Sequence, residues 1–141
     1  MIKWLKNKMN LLNVDEKKLA ALCRKYSILL VVLHGSHAAG RARENSDIDI
    51  GILAGKKQNT ETQIDIFADF SDLFGDKFDP VFLNGAEPLI TYQVAIHGTP
   101  LYEERKGIFQ EFQIQAAARY MDTKKFRQLE KLYLKRALNK I

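Results

Sequence analysis

Three features of the sequence predict an α/β (α+β) fold: a small mixed β-sheet flanked by helices, with a helical C-terminal segment. Residues 28–33 are continuously apolar, the pattern of a strand covered on both faces. Residues 46–53 alternate acids and isoleucines with period two, so one face of that strand is acidic and the other apolar. Around and after these strands, apolar residues recur every three to four positions, the spacing of amphipathic helices. At 141 residues, 46% apolar and 28% charged, the chain suits one domain over 1–141. The chemistry is expected at about 15–103, with C-terminal helices at about 104–141.

In chain order, residues 13–26 read as a helix: Asn13 is a capping residue, acids fill the first turn, and Leu19, Leu22, Cys23 and Tyr26 share a face. The strand at 28–33 is predicted to be central. His34-Gly35-Ser36 follows, then a short helical turn at 38–44, then the alternating strand. Residues 54–59 form a loop and 60–74 a helix ending at Gly75. The short strand at 78–83 contains Pro80, which lacks an amide hydrogen and so favours a sheet edge. A helix at 87–97 and a return to the sheet at 99–102 precede the long helical region, with a break near Asp122-Thr123, both good capping residues.

No apolar run approaches the roughly 20 residues that span a bilayer, so no membrane association is expected. Residues 1–10 hold three lysines but no secretory-type apolar stretch, which argues against export. Cys23 is the single cysteine; it cannot form an internal disulfide or a thiolate metal site, and a reducing cytoplasm with Cys23 in the core is the simplest expectation. The net charge of +5 is unevenly spread. Residues 1–27 hold seven Lys/Arg against two acids, 119–141 hold eight against two, and 28–118 hold seven against thirteen. An acidic centre between basic ends suits a divalent-metal site flanked by surfaces that attract nucleotide, nucleic acid or acidic protein. Two solvated basic helices would explain the ends equally well.

The chemistry rests on two motifs separated by ten residues: Gly35-Ser36 and Asp47-Ile48-Asp49. Side chains at i and i+2 of a strand lie about 6.5–7 Å apart on one face, so Asp47 and Asp49 converge. Two such carboxylates repel unless a cation neutralises them. Mg²⁺ fits, because it takes oxygen ligands, usually one or two carboxylates plus substrate phosphates. Gly35-Ser36, where a buried strand ends and a helix opens, offers amide donors, a hydroxyl and room for a phosphate. The pattern predicts phosphoryl or nucleotidyl transfer by positioning and metal electrostatics rather than through a covalent nucleophile. A third acid would complete a two-metal site. Asp79 is the candidate, opening a strand able to lie about 4.7–4.9 Å from that of Asp49, where it would ligate metal and orient or deprotonate an incoming hydroxyl. Asp76 competes but sits in a turn and reads as a cap. The plain alternative is a strand whose acids simply face water. His34 reads as a hydrogen-bonded packing residue and His37 as phosphate-adjacent or solvated. Phe109, Phe112, Tyr120, Phe126 and Tyr133 read mostly as core, any exposed remainder being a partner surface.

The run from His34 through Gly35-Ser36 to Asp47-Ile48-Asp49-Ile50 resembles the Gly-Ser-x10-Asp-x-Asp signature of the nucleotidyltransferase superfamily typified by DNA polymerase β, in its minimal nucleotidyltransferase (MNT) branch. Phe78-Asp79-Pro80-Val81 is similar to that branch's third-carboxylate strand, and the likeness extends over about 15–120. The resemblance implies a nucleotidyltransferase-type sheet, with Asp47, Asp49 and Asp79 as catalytic and metal-binding residues for Mg²⁺ and with ATP as substrate. It also implies an antitoxin of a HEPN/MNT pair that transfers AMP to a tyrosine of its cognate HEPN toxin within a hetero-oligomer. Relatives often carry arginines two positions apart after the serine. His37 and Ala39 stand there in this sequence, so phosphate contacts are expected to shift to Arg41 or Arg43. Two other functions stay open: an antitoxin that only binds and occludes, and a nucleotidyltransferase acting on a small molecule such as an aminoglycoside. Direct nucleic-acid binding is the less favoured reading of the basic ends.

Overall fold

The computed structural model describes residues 9–10, 12–43 and 45–139. Residues 1–8 and Glu44, on which part of the export and helical-turn expectations fell, lie outside them. The elements are α1 (Glu16–Lys25), β1 (Ile28–His34), α2 (Gly35–Ala38), β2 (Ile48–Ala54), α3 (Thr60–Phe74), β3 (Phe78–Phe82), α4 (Pro88–His97), β4 (Thr99–Glu103), α5 (Ile108–Asp122) and α6 (Lys124–Asn139). The sheet runs β3-β2-β1-β4; β2 and β4 pair antiparallel with β1, and β3 pairs parallel with β2. The expected small mixed sheet is therefore present, with β1 in its interior. Pro80 and Pro100 both fall on edge strands, where a missing amide hydrogen does least harm.

Each sheet face carries its own apolar layer. Val31, Leu33, Ile48, Ile50 and Ile52 pack with Leu19 and Cys23 of α1 and Ile66, Phe70 and Phe74 of α3. Leu30, Val32 and Leu83 pack with Val94 and Ala95 of α4 and Ile108, Phe112 and Ala116 of α5. Burial pushes the Cys23 thiol up to about 12, as suits a packing residue.

Three local expectations are corrected. The cap of α1 is Asp15, whose carboxylate accepts from the amides of Lys17 and Lys18 at 2.8 and 3.4 Å, while Asn13 adopts a left-handed φ of 56° in the preceding turn. The short helix begins at Gly35 rather than at residue 38 and ends at Ala38. Finally, β2 starts at Ile48, leaving Asp47 just before the strand, and its second face is acidic only at Asp49. By Gly51 that face is covered by α4: a Cβ there would meet Leu83 and Val94 side chains at 3.2 and 3.3 Å. The expected break between the last helices falls at Thr123, whose hydroxyl donates to the Tyr120 carbonyl at 2.9 Å. Among the described residues, no helix is long and apolar enough to cross a membrane.

The rings of Phe70, Phe74 and Phe78 tie α3 to β3, with centroid separations of 6.1, 6.0 and 5.4 Å. Phe70 has no exposed surface, so Phe70→Ala should cost about 3–5 kcal/mol in urea unfolding through lost transfer energy and a residual cavity. A loss below about 1 kcal/mol would show that this cluster does not hold the edge strand in place.

Candidate active site

The register of three strands assembles the site. His34 of β1 pairs with Asp49 of β2, and Asp49 pairs with Asp79 of β3, so the three side chains form a row on the sheet face that α4 covers farther along. Asp49 is half-buried, whereas Asp47 and Asp79 are exposed. The half-buried position depends on Gly35. That residue has φ +70°, and a Cβ built on it would fall 2.9 Å from Cγ of Asp49 and closer still to Oδ2. The room left by the missing side chain, expected to admit a phosphate, is filled by the Asp49 carboxylate.

This crowding is electrostatically unfavourable. Burial raises the Asp49 pKa above the ordinary carboxylate range; the Asp79 carboxyl, within hydrogen-bonding reach, raises it further, as does the charge of Asp47, and His37 opposes them. Both neighbours named from the sequence thus act on Asp49, although Asp47 lies outside the strand. Asp76, the rejected competitor, sits in the turn between Gly75 and Phe78 and outside the row.

His34 differs from expectation. Its Nε2 is buried and has no hydrogen-bond partner among the described residues, and burial lowers its pKa while Asp79 opposes the shift. His37 Nε2 lies 3.4 Å from the Ser46 carbonyl, linking α2 to the loop before β2. That loop is shaped by the Arg41 amide donating to the Ser36 carbonyl at 2.9 Å and the Arg43 amide donating to the Ser46 hydroxyl at 2.8 Å.

A cleft of about 440 Å³ opens beside the row. Ser36, Gly35, His34 and Arg41 line one side, and Gln93 and His97 of α4 line the other. Arg43 is exposed and is not part of that lining. Gln93 and His97 are not marked by any motif; their one signal is an i, i+4 polar pair on a mostly apolar helix. Tyr120 has no face free for a base, because Tyr92 stacks on one side at 4.0 Å and the Arg127 guanidinium on the other at 3.8 Å.

Among the described residues, no group of three or more His, Cys, Asp or Glu side chains is placed to hold a metal ion by itself. The acids make an open cluster, a donor set that suits Mg²⁺, which completes its shell with phosphate oxygens and water. The raised Asp49 pKa marks a place where a cation would relieve repulsion.

Residues 17–107, containing the whole sheet and the row, match the family model described as polymerase beta, nucleotidyltransferase. The chain belongs to that family. This nucleotidyltransferase is 35% identical over 108 residues to the protein adenylyltransferase MntA of Aphanizomenon flos-aquae (strain 2012/KM1/D3), covering 70% of this chain and 72% of that protein. Its fold is similar to a chain in a toxin–antitoxin crystal structure with AMP-PNP, with TM-score 0.73, 24% identity, and coverage of 86% of this chain and 98% of that one. It is also similar to a chain in the complex of a tri-AMPylated Shewanella oneidensis HEPN toxin with its MNT antitoxin, with TM-score 0.67, 21% identity, and coverage of 84% and 94%.

The Asp49 shift has a testable sign. A carboxyl whose folded pKa lies above its unfolded value, about 3.9, adds stability below that value and withdraws it as pH rises through the folded pKa. Metal-free protein should therefore lose stability as pH rises from about 4 through the titration of Asp49. Asp49→Asn should flatten that loss and raise the melting temperature at pH 7, as read by thermal melts in EDTA. A less stable Asp49→Asn at pH 7 would contradict the crowding.

Proposed function

We propose that this chain is a Mg²⁺-dependent protein adenylyltransferase, an antitoxin that moves AMP from ATP to a tyrosine hydroxyl of a cognate HEPN toxin. The observation that carries the proposal is the cross-strand pair of Asp49 and Asp79, with Asp49 held against Gly35, a residue that also lines the Ser36–Arg41 cleft. The MntA relative supports adenylyl transfer in particular.

In this reading Asp47, Asp49 and Asp79 hold the divalent metal, two ions in all, which supplies charge neutralisation on the phosphates. Gly35 and Ser36 bind the triphosphate through the α2 amides and the Ser36 hydroxyl. Arg41 faces it from the cleft, and Arg43 takes part only if its exposed side chain turns inward. Asp79, exposed on an edge strand, accepts the proton of the incoming hydroxyl. The hydroxyl oxygen bonds to the α-phosphorus, the α–β phosphoanhydride breaks, and pyrophosphate leaves. Residues at about 15–103 carry this chemistry, the helices at about 104–141 face the partner, and the cytoplasm supplies ATP and a reduced Cys23.

Labelling tests it. With the HEPN toxin present, ATP labelled at the α-phosphate should mark the toxin on tyrosine, and γ-label should leave as pyrophosphate. Asp79→Asn should cut transfer by about 10²–10⁴-fold while ATP and toxin still bind. Ser36→Ala should weaken ATP binding by about 1–2 kcal/mol, the loss of one phosphate hydrogen bond. Transfer of γ-label would identify a kinase, and tight toxin binding with no α-label would identify an occluding antitoxin.

A further inference from the structure

Among the described residues, none in α6 is buried, although its sequence is amphipathic. At 100° per residue, Phe126, Leu129, Leu132, Tyr133 and Ala137 share an arc of about 140°. Phe126 is 75% exposed and Tyr133 74%. A lone 16-residue helix gains little from its own hydrogen bonds in water, and helices in proteins are held mainly by burying such a stripe.

The base of α6 is nonetheless fixed. Arg127 donates to the Tyr120 carbonyl at 3.0 Å and to the Thr123 hydroxyl, and its guanidinium covers the Tyr120 ring, which stacks on Tyr92 of α4. Arg127 lies about 100° round the helix from Phe126, so this anchor orients α6 without covering the stripe.

Charge selects the occupant. α6 carries Lys124, Lys125, Arg127, Lys131, Lys135 and Arg136 against Glu130 alone. Lys125 and Arg136 fall within the apolar arc, one toward each end of the helix. Two copies packed stripe to stripe would set these cations against each other, which disfavours a second copy of this chain. We propose that the α6 stripe docks in an apolar groove rimmed by carboxylates on a separate protein, the acceptor of the AMP. This inference rests on the adenylyltransferase reading for the identity of that protein. Aspartates at the partner's groove ends would meet Lys125 and Arg136, and its apolar floor would take Leu129 and Tyr133.

The test is calorimetric titration of the full chain with its HEPN toxin. Leu129→Asp/Tyr133→Asp should weaken binding at least about 30-fold, the scale of an interface hot spot. Lys125→Glu/Arg136→Glu should weaken it about tenfold and reduce the weakening by salt expected of the unaltered chain. AMP-PNP affinity should change less than about twofold in both variants, because the nucleotide cleft lies elsewhere. Unchanged toxin affinity in the Asp variant, or no toxin binding by the unaltered chain, overturns the proposal. So does an unaltered chain that dimerises, or binds phosphatidylserine vesicles, through the same residues without an effect on toxin. The two readings fail separately. Toxin bound through α6 without α-label transfer removes the enzyme and keeps the docking face; transfer with unchanged affinity in the Asp variant does the reverse.

Discussion

A carboxylate pressed against a glycine governs this site. Asp49 occupies the volume where any other residue at position 35 would hold its Cβ, and Asp79 stands beside it on the next strand. Left alone, Asp49 favours protonation or displacement from its neighbours. The sheet prevents displacement. Ile48, Ile50 and Ile52 are buried on one face, and a one-residue slip of β2 would move them off it and drive Asp49 into the core they fill. Hydrophobic packing thus maintains an arrangement that electrostatics opposes, and a divalent cation bound there would relieve the opposition.

Most of the fold was legible because its strongest signals are local. The apolar run at 28–33 gave the interior strand, and Pro80 gave the edge. The helix at 60–74 was legible from its period and from Gly75 beyond its end. Boundaries were misread where two similar signals lay close together, as with Asn13 and Asp15 at the start of α1. The alternation of 46–53 promised a wholly acidic face; α4 covers it from Gly51 inward, a tertiary fact that no strand pattern carries.

The site was legible as residue types but not as geometry. Gly35, Asp49 and Asp79 come together through register, and a parallel β2–β3 pairing cannot be read from either strand alone. The use of Gly35 for a carboxylate, the orphan nitrogen of His34, and the contribution of Gln93 and His97 all depend on how α2 and α4 flank the sheet end. The uneven charge was visible at once, but its meaning was not. Only the structure distinguishes the basic α1, which buries Leu19 and Cys23, from the basic α6, which buries nothing among its described residues.

Asp49 is a carboxyl that burial and its acidic neighbours push toward the neutral form. Carbon-detected NMR of the Asp49 carboxyl measures this shift directly. Without metal, Asp49 should titrate above the ordinary carboxylate value of about 3.9, and Mg²⁺ with AMP-PNP should drive that midpoint down as the charged form gains its counterion. An ordinary midpoint that Mg²⁺ leaves unmoved would contradict the crowding of Asp49.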